Sequence, residues 1–266
     1  MEKLAHVKIS KRAIELYEEL NPSKSEQIKE WAAPFTDGSG KEDEIDISLQ
    51  RLFNWHFYDP GSRLGDAWWG IRRSNRKRVE ALAGKLTESA GSCLPETYVL
   101  AGRLAHHIQD MSSPPHVVPV YHMKDRFDGY ATDKIIDVKL TPAQLDTIRN
   151  EKRKLTFETL IELLENEAKR TILKVECPVI FDGRQIADDW TDFWRKYELT
   201  GAGCGRKPCS HFGCYGKNKF GEKAGQFTPA VYDMFYKEQI ASAVGETLRL
   251  LIILHGSSKE VTPNRV

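Results

Sequence analysis

The sequence predicts an all-α fold, a helical-bundle domain in which residues 1–266 form a single unit. Apolar residues recur at intervals of three and four along most of the chain, which is the spacing of one helix face. Alternating strand patterns are scarce, and only the short stretches 117–121 and 175–181 are candidates. The 266 residues suffice for one substantial core, and the chain has no internal repeat or low-complexity tract.

Proline and glycine divide the helical pattern into segments. Pro34 is expected to end a short helix, and the Gly/Asp-rich stretch 36–43 to form a loop. Thr228 and Pro229 are typical of a helix cap and first helical residue. The stretch 140–173 fits one long helix or two. The predicted helices cover residues 8–20, 25–33, 47–53, 68–86, 95–111, 140–173, 186–197 and 229–255.

Between about residues 200 and 225 the composition changes to glycine, cysteine, lysine and aromatic residues without a period. Such a segment predicts a long irregular, Cys-rich loop insertion in the helical domain. It is either a structural zinc site or a disulfide-stapled loop, and the absence of a standard zinc spacing slightly favours disulfides. The residues concerned are Cys204, Cys209, His211 and Cys214, with Cys93 or Cys177 as distant disulfide partners.

The charge of the chain is balanced. Thirty-nine basic residues against 38 acidic ones give a formal net charge of +1, so the broad positive surface of a duplex-DNA binder is not expected. The run 72–78 is either a local basic patch or, more often for such runs, the solvated face of a helix. The longest apolar run, 248–254, is far shorter than the roughly 18 residues of a membrane span, so no integral membrane association is expected.

Metal-binding residue types are concentrated in the region 106–128. His106 and Asp110 are four residues apart and project from one helix face, an arrangement that can chelate a metal ion, whereas His107 is expected to point elsewhere. Pro114 and Pro115 then end the helix. The chain must turn back there, so that further ligands come within reach of the same region. The cluster comprises His106, Asp110, His116, His122, Asp125 and Asp128.

Three ordered motifs resemble the zinc-dependent phospholipase C superfamily, which also contains the fungal-type nucleases for single-stranded nucleic acid. The most specific is the spacing His106-x3-Asp110-x5-His116. The segment from His56 to Pro60, with sequence HFYDP, is similar to the phospholipase branch, and so is the spacing of His6, Ile9, Ala13 and Ile14. The resemblance covers about residues 6–128, with a less specific helical similarity beyond.

The resemblance implies a multinuclear site of two to three zinc ions inside the bundle. One ion would be held by His56, His106 and Asp110 with an acidic residue from the preceding loop, for which Asp43 is the first choice ahead of Glu42 and Asp46. His6 and Asp110 would hold a neighbouring ion. The family completes that ion with an N-terminal tryptophan, whereas here Met1 stands five residues before His6.

The third ion implied by the resemblance would take His116, His122 and a carboxylate. The family usually places this acid four residues after its histidine, where this chain has Arg126. Asp128 is the first choice for the carboxylate, and Asp125 the second.

The function implied is zinc-dependent phosphodiester hydrolysis, with phospholipase C-type cleavage of a phospholipid headgroup by metal-bound hydroxide as the first expectation. Asp43 would be the catalytic residue that orients or deprotonates the water. One alternative is a single-strand-specific nuclease, with 72–78 as a basic groove for single-stranded nucleic acid, or a phosphatase with the same zinc cluster. Another is a non-catalytic zinc-binding interaction protein, but a site rich in His and Asp is more typical of catalysis than of structural zinc.

The phospholipase reading also draws on the tryptophans, because aromatic faces can bind a choline group by cation–π contact. The residues to inspect are Trp31, Trp55, Trp68 and Trp69. The first residues of the chain show no secretory signal pattern, so a signal peptide is absent or removed. Secretion is common in the resembling family and fits an oxidised cysteine loop, which favours a secreted or periplasmic protein.

Overall fold

The computed structural model describes residues 1–44, 56–60, 75–89, 94–118, 127–191, 193–194 and 227–256. The helices of these ranges are α1 (Lys3–Leu20), α2 (Ser25–Glu44), α3 (Asn75–Glu88), α4 (Pro95–Asp110), α5 (Pro114–Val117), α6 (Pro142–Arg149), α7 (Phe157–Glu176) and α8 (Pro229–Gly256). Short 3₁₀ turns cover Pro22–Lys24, Phe127–Gly129 and Thr132–Asp137. Strands β1 (Val179–Phe181) and β2 (Arg184–Ala187) pair as an antiparallel hairpin. The predicted all-α class is confirmed.

Helix α4 lies at the centre of the bundle. It packs against α1, α2, α3, α7 and α8, and most extensively against α2. All of residues 104–110 are buried, including the polar ones. A helix that is covered on every side must satisfy its polar side chains inside the protein. This requirement gathers polar partners from the surrounding helices around the C-terminal half of α4.

Helix α2 continues through the residues that predict its end. The expected helix end near Pro34 and the expected loop over 36–43 are wrong, because Ser25–Glu44 is one helix with Pro34 inside it. An interior proline costs a helix about 3 kcal/mol in isolation. Tertiary packing along the face shared with α4 outweighs this local preference.

Two glycines allow α2 and α4 to approach closely. A Cβ at Gly102 of α4 would overlap the backbone carbonyl oxygen of Phe35, and one at Gly38 of α2 would overlap that of Val99. Gly38, which looks like a loop residue in the sequence, and Gly102 therefore let two helix backbones come into contact. This contact brings the last turns of α2, with Asp43, alongside α4.

Other boundaries are decided by caps and by prolines. The stretch 140–173 forms two helices, α6 and α7, capped by Thr141 and Thr156, whose side chains accept hydrogen bonds from the backbone N–H groups of Gln144 and Thr159. Helix α8 begins at Pro229 as predicted, and the N–H of Val231 donates to the carbonyl oxygen of Thr228 at 3.0 Å. The segments 95–111 and 229–255 match α4 and α8 to within a residue at either end.

The helix predicted over 186–197 is wrong in the part that the structure describes. Its first residues belong to β2, and a turn containing Trp190 and Trp194 follows. Both rings are buried against Phe235 of α8, with ring centroids 4.4 and 5.4 Å away. The apolar spacing therefore comes from an aromatic turn that packs on α8. Of the two strand candidates, Val179–Phe181 is a strand, whereas Val117 lies in α5.

Several predictions lie outside the described residues. They include the helix over 47–53 and the Cys-rich insertion at 200–225, together with Trp55, Trp68 and Trp69. Cys177, which is described, is an exposed free thiol. None of the described helices has the length and apolar character needed to cross a membrane.

The close approach of α2 and α4 predicts opposite effects of two Gly→Ala substitutions. Gly102→Ala should destabilise the protein by about 1–3 kcal/mol, because the new methyl group forces the helices apart. Gly84→Ala, within α3 where a Cβ would meet nothing within 4 Å, should stabilise it by up to about 1 kcal/mol. Urea unfolding measures both free energies of unfolding. Equal effects of the two substitutions would contradict the helix contact.

Candidate metal centre

The carboxylate of Asp110 is the hub of a buried histidine cluster. Its Oδ2 lies 2.6 Å from His56 Nδ1 and 3.3 Å from His106 Nε2. Its Oδ1 lies 3.3 Å from His6 Nε2 and 3.6 Å from His116 Nε2. Four imidazoles from α1, the segment 56–60, α4 and α5 thus converge on one fully buried carboxylate. The structure brings together these five of the residues predicted as metal ligands.

The amine of Met1 lies in the same cluster. It donates to Asp110 Oδ1 at 2.7 Å, is 3.0 Å from His116 Nε2, and lies 3.4 Å from Asp128 Oδ2. Its position follows from α1, which begins at Lys3 and directs the preceding residues towards the C-terminal end of α4. The amine of Met1 therefore lies next to Asp110, although this residue, five positions before His6, is a methionine and not the tryptophan of the resembling family.

Three of the histidines are oriented by acceptors outside the cluster. His106 Nδ1 lies 2.8 Å from the backbone carbonyl oxygen of Ser39, and His116 Nδ1 lies 3.1 Å from that of His56. A carbonyl oxygen can only accept, so these Nδ1 atoms carry the proton and leave a lone pair on Nε2. His6 Nδ1 likewise lies 2.8 Å from the side-chain oxygen of Gln109. In all three rings Nε2 lies on the side of Asp110, so in the neutral ring its lone pair is available to a metal ion bound together with that carboxylate.

Gln109 is itself fixed by two helices. Its amide nitrogen donates to the hydroxyl of Ser10 at 3.1 Å and to that of Thr247 at 3.0 Å, so its oxygen must face His6. Gln109 is fully buried and therefore joins α1, α4 and α8 through side-chain hydrogen bonds. The sequence-based prediction gives Gln109 no role. The signal available in the sequence is a polar residue on the buried face of a predicted helix.

Asp43 lies beside the cluster at the end of α2. One donor atom from each of Asp43, His6 and His106 can be chosen so that all three lie within 4.8 Å of one another. Burial opposes the ionisation of Asp43, but the charges of His106 and His6 outweigh it and lower its pKa. Asp43 is thus an ionised, half-buried carboxylate next to two of the predicted ligands.

Glu42, the second choice for the acidic ligand, faces a different set of partners. Its buried carboxylate accepts hydrogen bonds from Arg78 Nη2 at 2.8 Å and from Arg103 Nε, and lies 3.4 Å from His107 Nε2. Burial would raise its pKa, but His107 and Arg103 lower it to about 2. The expectation that His107 points away is wrong, because α4 is buried on all sides. His107 joins a second group whose donor atoms lie within 4.8 Å of one another, with His56, His106 and Asp110.

The third predicted zinc site is described only in part. Asp128 Oδ2 lies 3.2 Å from His116 Nε2, and Asp128 Oδ1 accepts a hydrogen bond from Ser113 at 2.5 Å. His122 and Asp125 lie outside the described residues. Asp128, the first choice for the carboxylate, therefore lies next to His116, with which it is expected to share a metal ion.

Electrostatics hold the cluster in a form that suits a cation. Burial would raise the pKa of Asp110, but His116, the Met1 amine and His106 hold it well below its usual range. Burial and the neighbouring His106 lower the pKa of His6 to about 4. Burial also opposes the charge of the Met1 amine, yet Asp110 and Asp128 raise its pKa to about 10. At neutral pH Asp110 is therefore ionised and His6 is neutral.

The donor set fits zinc in chemistry and in spacing. Imidazole nitrogen and carboxylate oxygen are both common zinc ligands. Two donors of a tetrahedral zinc ion, each about 2.1 Å from the metal, lie about 3.4 Å apart. The separations His106 Nε2 to His56 Nδ1, 3.1 Å, and His6 Nε2 to Asp110 Oδ1, 3.3 Å, are close to this value. His6 Nε2 is a buried atom without a hydrogen-bond partner, which a metal ion would satisfy.

The turn that follows α4 is anchored to α7. Ser112 Oγ donates to Glu167 Oε1 at 2.5 Å. Glu167 is buried and also accepts a hydrogen bond from Ser242 at 2.8 Å and two from Arg170 at 2.8 and 2.9 Å. A buried carboxylate with this many donors holds its partners firmly. The path of the chain from Asp110 to His116 therefore depends on a hydrogen bond to Glu167.

Trp31, the described member of the tryptophans singled out in the sequence, belongs to the packing. Its ring stacks on Tyr98 of α4 with centroids 4.8 Å apart and planes at 3°. Tyr98 in turn bonds His255 Nε2 through its hydroxyl at 2.9 Å. The face of Trp31 that meets Tyr98 is therefore not available to a choline group.

Comparison with known proteins supports the fold. No protein-family model matches the sequence, and no curated protein sequence matches it significantly. Among solved structures, the fold is similar to that of α-toxin from Clostridium perfringens, avian strain SWCP, with a TM-score of 0.60 and 13% sequence identity. The similarity covers 98% of this chain and 66% of the toxin chain, so the chain spans slightly less than two thirds of the toxin's length. At this level of identity the similarity shows that the two chains share a fold.

The anchoring of the turn predicts that Ser112→Ala weakens zinc binding by about tenfold or more, the lower end of the effect of removing outer-shell partners. Ser242→Ala is the matched control, because it removes a hydrogen bond to the same carboxylate of Glu167 without touching the turn. Both variants should lose about 1 kcal/mol of folding stability. Competition with a chromogenic chelator measures the zinc affinity. Equal zinc affinities in the two variants would show that the turn does not depend on Ser112.

Proposed function

We propose that this chain is a zinc-dependent phosphodiester hydrolase that acts on the headgroup ester of a phospholipid. The observation that carries the proposal is the convergence of four imidazoles on the buried Asp110 carboxylate. Closed structural zinc sites are usually rich in cysteine, whereas this cluster offers nitrogen and carboxylate oxygen. The resemblance of the three sequence motifs to the zinc-dependent phospholipase C superfamily supports the same chemistry.

The described residues divide into three groups of donors. His56, His106 and Asp110 would hold one ion, and His6 with Asp43 and Asp110 a second, so that Asp110 bridges them. His116 and Asp128 would contribute to a third. Bound zinc supplies positive charge that neutralises phosphoryl oxygens, activates water near neutral pH and stabilises the leaving oxygen.

The residues of the chain then have distinct tasks in hydrolysis. The oxygen of water forms a bond to phosphorus, the phosphorus–oxygen ester bond on one side breaks, and the products are an alcohol and a phosphomonoester. Asp43, ionised and half-buried at the edge of the cluster, would orient the attacking water and accept its proton. Asp110, surrounded by four histidines, is too enclosed for this role and instead fixes the ligands.

The basic residues of the described part favour a phospholipid over a nucleic acid strand. Arg76 is bound by Glu80 at 3.0 Å and lies 3.3 Å from Glu165, and Arg78 is bound by Glu42. These guanidinium groups are already paired with carboxylates, so they do not form the open basic groove that a single strand requires. Residues 72–74 of the basic run 72–78 lie outside the described residues.

The proposal predicts that hydrolysis requires both metal and Asp110. The purified chain should contain two to three zinc ions and hydrolyse a chromogenic phosphocholine ester and phosphatidylcholine vesicles, with the activity lost on chelation. Asp110→Asn should lower the rate by more than about 100-fold, because a bridging ligand is lost rather than an outer partner. Asp146→Asn, at an exposed position on α6, should not change it.

Three results would contradict the proposal. A chain without zinc would remove the metal chemistry altogether. Zinc without chelator-sensitive hydrolysis would indicate a non-catalytic site. Activity confined to single-stranded DNA, tested on the same sample, would replace the lipid substrate with a nucleic acid.

A further inference from the structure

His107 is a fully buried imidazole next to the proposed zinc ligands. None of the three groups of donors includes it. It follows His106 on α4, and its ring centroid lies 5.2 Å from that of His106 and 5.6 Å from that of His56. One of its ring nitrogens lies within 4.8 Å of donor atoms of His56, His106 and Asp110. Neither ring nitrogen has a hydrogen-bond partner of good geometry among the described residues.

We propose that His107 is an additional ligand of the zinc ion held by His56, His106 and Asp110, and that Glu42 orients it. This inference rests on the proposed function, since it assigns a further ligand to the same metal centre. The resemblance to the phospholipase C superfamily gives this position to Asp43. The group of donor atoms that contains His56 includes His107, whereas Asp43 groups with His6 and His106.

Glu42 has the properties of a carboxylate that orients a metal-binding histidine. Such histidines usually donate the second ring N–H to a carboxylate or carbonyl oxygen, which fixes the ring and its tautomer. His107 Nε2 lies 3.4 Å from Glu42 Oε2, which leaves Nδ1 as the metal-binding atom. Arg78 and Arg103 hold the carboxylate of Glu42 from the other side. His6, His106 and His116 have corresponding outward acceptors, so His107 follows the rule of the cluster.

Two consecutive residues of a helix project about 100° apart, so they can bind one ion only if it lies between their directions. The position of His56 meets this condition. Its ring centroid is 5.0 Å from that of His106 and 5.6 Å from that of His107, so the third ligand lies at a similar distance from both rings. An ion bound to His56 is thereby directed to the space that both α4 histidines border.

A structural role would be the alternative for His107, as a buried hydrogen-bond partner of Glu42. The two roles differ in what they predict for metal binding. A structural histidine contributes to the stability of the metal-free chain and leaves the coordination of a bound metal ion unchanged. A ligand changes the affinity and the coordination number of one ion.

The test compares His107→Gln with His255→Gln in the full chain. His255 is also buried on a helix and hydrogen-bonded through Nε2, but it packs between Tyr17 and Tyr98 away from the cluster. His107→Gln should weaken the binding of one zinc ion by about 100-fold or more, beyond the effect of losing an outer partner. The visible absorption of the cobalt-loaded protein should change with the loss of a nitrogen ligand. His255→Gln should leave both measurements unchanged.

Glu42→Gln provides a second variant if His107→Gln does not fold. It keeps the size of the side chain and should weaken the same ion by about 10–100-fold, with a change in the same cobalt band. Unchanged affinity and spectrum in His107→Gln, or in Glu42→Gln where that variant decides, would overturn the inference and leave the proposed function standing. A wild-type chain that binds neither zinc nor cobalt would overturn the proposed function itself.

Discussion

The burial of the Asp110 carboxylate is the constraint on which the rest of the structure depends. An ionised carboxylate away from water is costly unless donors and positive charge surround it. Here they come from distant parts of the chain: His6 and the Met1 amine from the N-terminus, His56 from the segment before α3, and His116 from α5. Asp110 has its full set of donors only when each of these elements is packed in the bundle. The arrangement of the helices and the electrostatics of the centre therefore depend on each other.

Local patterns predicted the parts of this centre that depend on local geometry. His106 and Asp110 share a face because they are four residues apart on one helix. His116 returns to them because the chain turns after Asp110 and enters α5, which begins with Pro114 and Pro115. Helices α4 and α8 were predicted to within a residue for the same reason. The continuation of α2 through Pro34 was not, since it depends on Gly38 and Gly102, which only a neighbouring backbone explains.

The partners of the ligands were beyond sequence reasoning for a related physical reason. The bond of His6 to Gln109, 103 residues away, and that of Ser112 to Glu167, 55 residues away, have no local signature. The proximity of Glu42 to His107 likewise requires α2 to lie alongside α4. Spacing identifies residues that can bind a metal ion, whereas tertiary packing decides which of them are oriented to do so.

The stacked imidazoles of His6 and His106 differ in their affinity for protons. The rings of His6 and His106 stack with centroids 3.8 Å apart, and burial with His106 keeps His6 neutral while Asp110, against the effect of burial, raises the pKa of His106. A second positive charge in this pair is therefore disfavoured, although Asp43, Asp110 and Asp128 all lie close by. A divalent cation bonded to the neutral nitrogens would compensate the carboxylates without placing two charged imidazoles in contact. The packing of α1 against α4 therefore brings together carboxylates whose negative charge metal ions can compensate better than protons can.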